Sequence, residues 1–187
     1  MTGNDRSLDL DDAFRKTGLI AVAGDAPPGT LPVFSPSPAC THAEDGRVDR
    51  TVDHGTPGLV ELVNCSWLEL AEQYGLFGPN GEFLVLCRNG DNPPFWHRVR
   101  LAPEWDFAGA GAATGYFGYR AGSPELSTMS LNSRVMVQIT NSDVSVSAIA
   151  LPNPGRAGII RDHLIRAAPS RYSPTQTWTA AQWPGNG

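Results

Sequence analysis

The chain has 187 residues, 41% of them hydrophobic, and a formal net charge of −5 at pH 7. That length holds one sizeable core and favours one domain over two. The acidic balance leaves no basic field for a phosphate backbone, which argues against nucleic-acid binding, and no apolar run is long enough to cross a bilayer.

The polar start, Met1 to Arg6, lacks the basic and apolar regions of a secretory signal. A protein that is not Sec-exported is expected, cytoplasmic or carried in a virion. Lysine occurs once, at Lys16, against thirteen arginines spread from Arg6 to Arg171. With abundant alanine, glycine and proline, this is the composition of a high-GC coding sequence, of an actinobacterial type or one of its phages. Arginine's planar fork suits pairing and stacking at interfaces, and its high pKa makes it a poor general base.

Ser7 is placed to cap a short helix reaching about Lys16, with Leu10, Ala13 and Phe14 on one side and Gly18 just past the end. Leu19 to Ala23 and Leu31 to Phe34 are compact apolar runs separated by Pro27-Pro28-Gly29, which reads as a strand pair. Residues 35–58 carry Pro36, Pro38, Gly55, Pro57 and a cluster of charges without apolar periodicity, and read as the longest loop. A loop of that length inside a compact domain is usually functional or disordered.

Ser66-Trp67-Leu68-Glu69 matches a capping box, predicting a helix from Trp67 to Tyr74 stopped by Gly75. Leu59 to Asn64 reads as a strand leading into it, although Thr56 as cap and Pro57 at the first turn would equally start one longer helix. Glu82 to Arg88 and Phe95 to Leu101 form a hairpin around Asn89-Gly90-Asp91-Asn92-Pro93-Pro94. In its second strand Phe95, His97, Val99 and Leu101 point one way, and Trp96, Arg98 and Arg100 the other.

Gly109 to Gly122 is rich in glycine and alanine, and suits a bend or a close backbone approach better than a regular element. Val135, Val137 and Ile139 alternate with polar or bulkier neighbours, Asn141-Ser142-Asp143 turns, and Val144, Val146, Ala148 and Ala150 alternate back, giving an antiparallel hairpin. Asn153 then caps a helix with Pro154 at its first position, an apolar stripe of Ile159, Ile160 and Leu164, and Pro169 as terminator. Residues 169–187 are an extended arm.

The odd count of three cysteines, Cys40, Cys65 and Cys87, rules out a complete disulfide framework within one chain. Cys65 and Cys87 read as small buried hydrophobes, with a bridge between them left open. Cys40-Thr41-His42 with His54 is the one local concentration of soft metal ligands, but its spacing does not converge two pairs as zinc requires, and no metal site is assigned. Asp53-His54 and Asp162-His163 juxtapose carboxylate and imidazole, yet sequence neighbours rarely make the oriented contact of a triad, and no Gly-x-Ser-x-Gly elbow is present. The glycine run at 109–115 lacks the strand before and the helix after that a phosphate cradle needs, so no nucleotide or other cofactor is assigned. His97 is either a hydrogen-bonded core histidine or, with Trp96 beside it, a pocket residue that the loop bearing His42 and His54 would close.

Gly29-Thr30-Leu31-Pro32-Val33-Phe34-Ser35 resembles the strand motif of SseB-like N-terminal domains, and Phe83-Leu84-Val85-Leu86-Cys87-Arg88-Asn89 stands where that family has a later strand and an Asn-Pro turn. Pro36-Ser37-Pro38 replaces the helix expected after the first motif, and Asn89-Gly90 replaces Asn-Pro. The resemblance implies a regulatory or secretion-associated domain.

The expected fold is a single α+β domain over residues 1–168, dominated by antiparallel sheet with about three short helices, followed by the arm. No catalytic set of nucleophile, base and orienting group can be named. The leading expectation is a non-enzymatic structural or assembly subunit making contacts with other protein subunits, itself included, such as a capsid-associated, connector or tail protein of a phage. Its interface would use Arg171, Tyr172, Trp178 and Trp183, because tryptophan, tyrosine and arginine most often anchor interfaces. The other expectation is an enzyme or ligand-binding protein with its pocket beside His97.

Overall fold

The computed structural model describes residues 10–87 and 94–167. A helix, α1 (Leu10–Thr17), opens the described chain with Asp11 and Asp12 in its first turn and Arg15 and Lys16 in its last, the charge order a helix dipole favours. Lys16 Nζ lies 2.6 Å from Asp12. Gly18, at φ +74°, ends the helix and starts β1 (Leu19–Ala21). The Ser7 cap falls outside the described residues.

β1 pairs with β4 (Phe95–Leu101), not with the 31–34 run. That run instead folds into turns in which Thr30 donates to the Pro27 carbonyl and Ser35 to the Pro32 carbonyl. Pro32 inside that run supplies no backbone N–H for a ladder, and β4 takes the place beside β1, so the expected strand pair does not form.

The expected loop at 35–58 is also corrected. It contains two short 3₁₀ turns (Pro38–Cys40 and Ala43–Asp45) and a full strand, β2 (Val48–Asp53). Only Val48 and Val52 supply apolar side chains to the core, and Arg50 between them pairs with Glu69. Two valines and an ion-paired arginine leave too little apolar periodicity to read.

α2 (Leu59–Tyr74) is one continuous helix, so the expected strand at 59–64 does not form, and the single longer helix forms with Gly58 as its cap in place of Thr56 and with Pro57 before its first turn. It begins after Gly58 (φ +72°) and ends at Gly75 (φ +75°). Ser66 sits in mid-helix, because nothing between Leu59 and Ser66 breaks propagation once the first turn exists. The buried stripe is Val63, Trp67, Leu70 and Ala71, and Cys65 falls outside it.

β3 (Glu82–Cys87) and β4 form the expected antiparallel hairpin. After β4 a π-helical turn (Phe107–Gly111) and a 3₁₀ turn (Ala112–Thr114) lead to a small two-stranded sheet of β5 (Gly118–Arg120) and β6 (Ser123–Pro124). β7 (Leu126–Met129), β8 (Val135–Asn141) and β9 (Ser145–Pro152) then form a meander, with the expected hairpin at its end. Asn153 takes a left-handed conformation and precedes only a 3₁₀ turn (Pro154–Arg156); the regular helix α3 (Gly158–Ala167) starts later than expected.

The seven-stranded sheet has the order β1-β4-β3-β7-β8-β9-β2, with every pair antiparallel. Its two faces carry two cores. On one, α1, α2 and the π-helical turn cover Phe83, Val85, Val99, Val137, Ile139 and Ala148. On the other, Leu31, Ala157 and Ile160 cover Leu84, Met129, Met136 and Leu151. Alternate residues of the five inner strands feed opposite cores, the period-2 consequence of the pleat. The architecture is α+β, dominated by antiparallel sheet.

Candidate functional site

The corner where α1 turns into β1 is where geometry leaves binding groups unused. Val22 N–H donates to the Arg98 carbonyl and Ala102 N–H to the Gly18 carbonyl, both at 2.9 Å. Antiparallel pairing alternates, so Gly18, Ile20 and Val22 face β4, and the N–H and C=O groups of Leu19 and Ala21 point away from the sheet. Among the described residues no backbone group pairs with them. Beside this edge lies a cleft of about 350 Å³ whose lining includes Asp11, Phe14, Arg15, Leu19, Ile20 and Ala21.

The two edges of the sheet differ in kind. β2 at the far edge carries Asp49, Arg50 and Asp53, and Arg47 just before it donates to Asp49 and to the Ala39 and Thr41 carbonyls. Charges and a covering loop are the usual protection of an edge strand. β1 is Leu-Ile-Ala, with Ile20 38% exposed and no charge of its own.

His97 stands one ring away from the cleft. Its imidazole meets Phe14 edge-on at 5.4 Å and Phe95 at 4.0 Å between centroids, and its Nε2 is buried with no hydrogen-bond partner. Burial pulls its pKa below the ordinary histidine value, and the Asp11 carboxylate opposes that shift. Phe14 lies between it and the cleft, and His97 is not among the cleft's lining residues. Trp96 sits on the opposite sheet face, where its Nε1 donates to the Leu31 carbonyl at 2.8 Å and holds the 22–34 segment down. Strand alternation therefore separates the two residues expected to share a pocket.

Asp106 builds the corner from below. It accepts from Asn64 Nδ2 of α2 at 2.8 Å and from the Gly109 and Ala110 amides at 2.7 Å, while Ala108 N–H donates back to Asn64 Oδ1 and Asp106 N–H to the Thr17 carbonyl. The carboxylate thus ties α2 to the π-helical turn, and the backbone N–H of the same residue adds the end of α1. Glycine is needed here: a Cβ on Gly109 would lie 2.2 Å from Asp106 Oδ2. Burial raises the Asp106 pKa, but Asn64 and the Ala110 and Gly109 amides outweigh it and hold the carboxyl below its ordinary value. A carboxyl depressed on folding adds stability above its unfolded pKa of about 4, and that stability is lost as pH falls through the lower folded value. Asp106→Ala is expected to cost about 1–2 kcal/mol at pH 7, the scale of a lost helix cap. Urea unfolding of both chains at pH 7 and pH 3 checks it, the gap between them narrowing in acid.

The other candidates fall apart in space. His54 follows β2, where its Nε2 lies 2.8 Å from the Ser142 carbonyl. β2 and β4 are five strands apart in the sheet order, roughly 24 Å at ordinary strand spacing, so the segment with His42 and His54 does not close over His97. His42 belongs to a turn whose Asp45 accepts from the His42 and Gly158 amides at 3.1 Å, fastening that turn to the start of α3. Among the described residues no three His, Cys, Asp or Glu side chains gather as a metal site. All three cysteines are free. Cys40 and Cys65 are exposed, contrary to the expected burial of Cys65, and Cys87 is buried. Burial pushes the Cys87 thiol far up, so it stays protonated. Arg171, Tyr172, Trp178 and Trp183 lie outside the described residues, as does the turn at 88–93. No described helix is long and apolar enough to cross a membrane.

No family model, curated protein or solved structure matches this chain. The β1 edge, unpaired among the described residues, and its cleft escaped sequence reasoning because an apolar strand reads the same at the centre of a sheet and at its rim. The available signal was the brevity of the run, closed by Gly24 and Asp25.

Proposed function

We propose that this chain is a non-enzymatic structural or assembly subunit acting through protein–protein contacts, a virion component such as a capsid-associated, connector or tail protein of an actinobacterial phage. The observation that carries this reading is the contrast between the sheet edges: β2 is charged and covered, while β1 has backbone groups that no described residue pairs, beside an open cleft. An unprotected edge is a template for a strand from another chain. Further large apolar side chains stand in solvent, Tyr119 at 82% exposure, Phe34 at 59% and Ile165 at 55%. The arginine-for-lysine composition suits rim contacts, and Arg171, Tyr172, Trp178 and Trp183 supply anchor types for the partner side.

Sedimentation of the full chain over a concentration series tests this. Association beyond the 20.0 kDa monomer is expected, and Trp178→Ala with Trp183→Ala should weaken it at least about tenfold, the scale of one hot-spot residue. A chain that stays monomeric throughout overturns the reading, and an oligomer indifferent to both substitutions overturns the role of the arm.

A further inference from the structure

We propose that residues 175–183 of a second copy add as a strand to the free edge of β1, with a tryptophan seated in the cleft. This rests on the assembly reading and names its partner and its site.

Pro174 and Pro184 bracket Thr175-Gln176-Thr177-Trp178-Thr179-Ala180-Ala181-Gln182-Trp183. Inside those limits there is no proline, glycine or charge, and threonine and tryptophan favour a pleated strand. Neutrality matches the acceptor: β1 is uncharged, whereas β2 would set Asp49, Arg50 and Asp53 against any incoming strand. Ala21 is exposed and presents an N–H and a C=O away from β4, while Leu19 is buried, so main-chain bonds at Ala21 supply affinity and the side chains supply specificity. Trp178 and Trp183 are an odd number apart and so fall on opposite faces of a strand. One meets the Phe14 and Leu19 side of β1, and the other the exposed Ile20 side.

The reach is set by residues 168–174, which extended span up to about 25 Å between Ala167 and the segment. The direction favours a neighbour. α3 packs through Ile160 and Leu164 on the sheet face opposite α1, so the chain leaves Ala167 on the wrong side for its own cleft. Arm and cleft are different surfaces, so the contact is head-to-tail and propagates unless a ring closes it.

Two variants of the full chain separate donor from acceptor. Ala21→Pro removes an outward N–H without touching the β4 ladder, a position where edge strands tolerate proline. Ile20→Arg, at an exposed site, is the second acceptor variant should the proline disturb β1. Trp178→Asp with Trp183→Asp disables the donor. In size-exclusion chromatography with light scattering, each variant alone should run as a 20.0 kDa monomer. An equimolar mixture of an acceptor variant with the donor variant should recover a heterodimer, because one partner keeps its arm and the other its edge. If the donor variant dissociates the oligomer while Ala21→Pro and Ile20→Arg leave it intact, the acceptor lies elsewhere: the assembly reading stands and this inference falls. A mixture that stays monomeric also overturns it. A full chain monomeric at every concentration removes both.

Discussion

Trp67→Ala is expected to lower stability by about 3–5 kcal/mol, the range for removing a fully buried large aromatic. Trp67 lies wholly inside, at the centre of an aromatic cluster with Phe107 at 4.6 Å, Trp105 at 5.4 Å, Phe83 at 5.9 Å and Phe77 at 6.0 Å between ring centroids. These rings come from α2, the segment before β3, β3 itself and the stretch from Trp105 into the π-helical turn, so the cavity would open where four pieces of chain meet and none can collapse alone. For a chain of this size the loss corresponds to a fall in Tm of roughly 6–20 °C. Thermal unfolding followed by far-UV circular dichroism measures it. A fall below about 2 °C would mean the rings do not depend on one another for packing.

Gly18→Ala is expected to cost about 2–4 kcal/mol, from two causes acting together. The residue holds φ +74°, where an alanine loses roughly 1 kcal/mol or more, and a Cβ there would sit 2.2 Å from the Glu104 carbonyl oxygen and 2.6 Å from Trp105 Cα. Both obstacles are backbone and cannot swing aside as a side-chain end would. Relief requires α1 and β1 to move off the Glu104–Trp105 strand exit, so the same substitution should loosen the β1 edge. Hydrogen exchange of the Ile20 and Val22 amides, both committed to β4, should quicken in the variant at constant pH. An unchanged Tm with unchanged exchange would contradict the close approach.

These two sites show how unevenly the sequence disclosed the fold. Helix α1, the β3–β4 hairpin and the β8–β9 hairpin were readable because their signals are local: charge order and Gly18 for the first, period-2 alternation and turn residues for the others. β2 was not, since a strand carried by Val48 and Val52, with Arg50 paired to Glu69, shows no apolar run. α2 was split in reading because Ser66 and Glu69 fit a cap that the helix, already propagating from Gly58, has no need to use. Asp106 drew no notice, as its three donors come from residues 3, 4 and 42 positions away and only the last reveals a tertiary role.

For the candidate site the division is sharper. By itself the sequence determined that His97 and Trp96 face opposite ways, that the glycine run at 109–115 lacks the setting of a phosphate cradle, and that Thr175 to Trp183 is a neutral, proline-bounded segment with two large anchors. Those follow from backbone periodicity and residue chemistry, which need no neighbours. Only the tertiary structure decided which strand lies at the rim. The Leu19–Ala21 run becomes an open edge because β4 takes one side of it and no described segment takes the other, while prolines turn its expected partner at 31–34 away. Strand order is a property of long-range pairing, and the energy that selects it is shared among all seven strands.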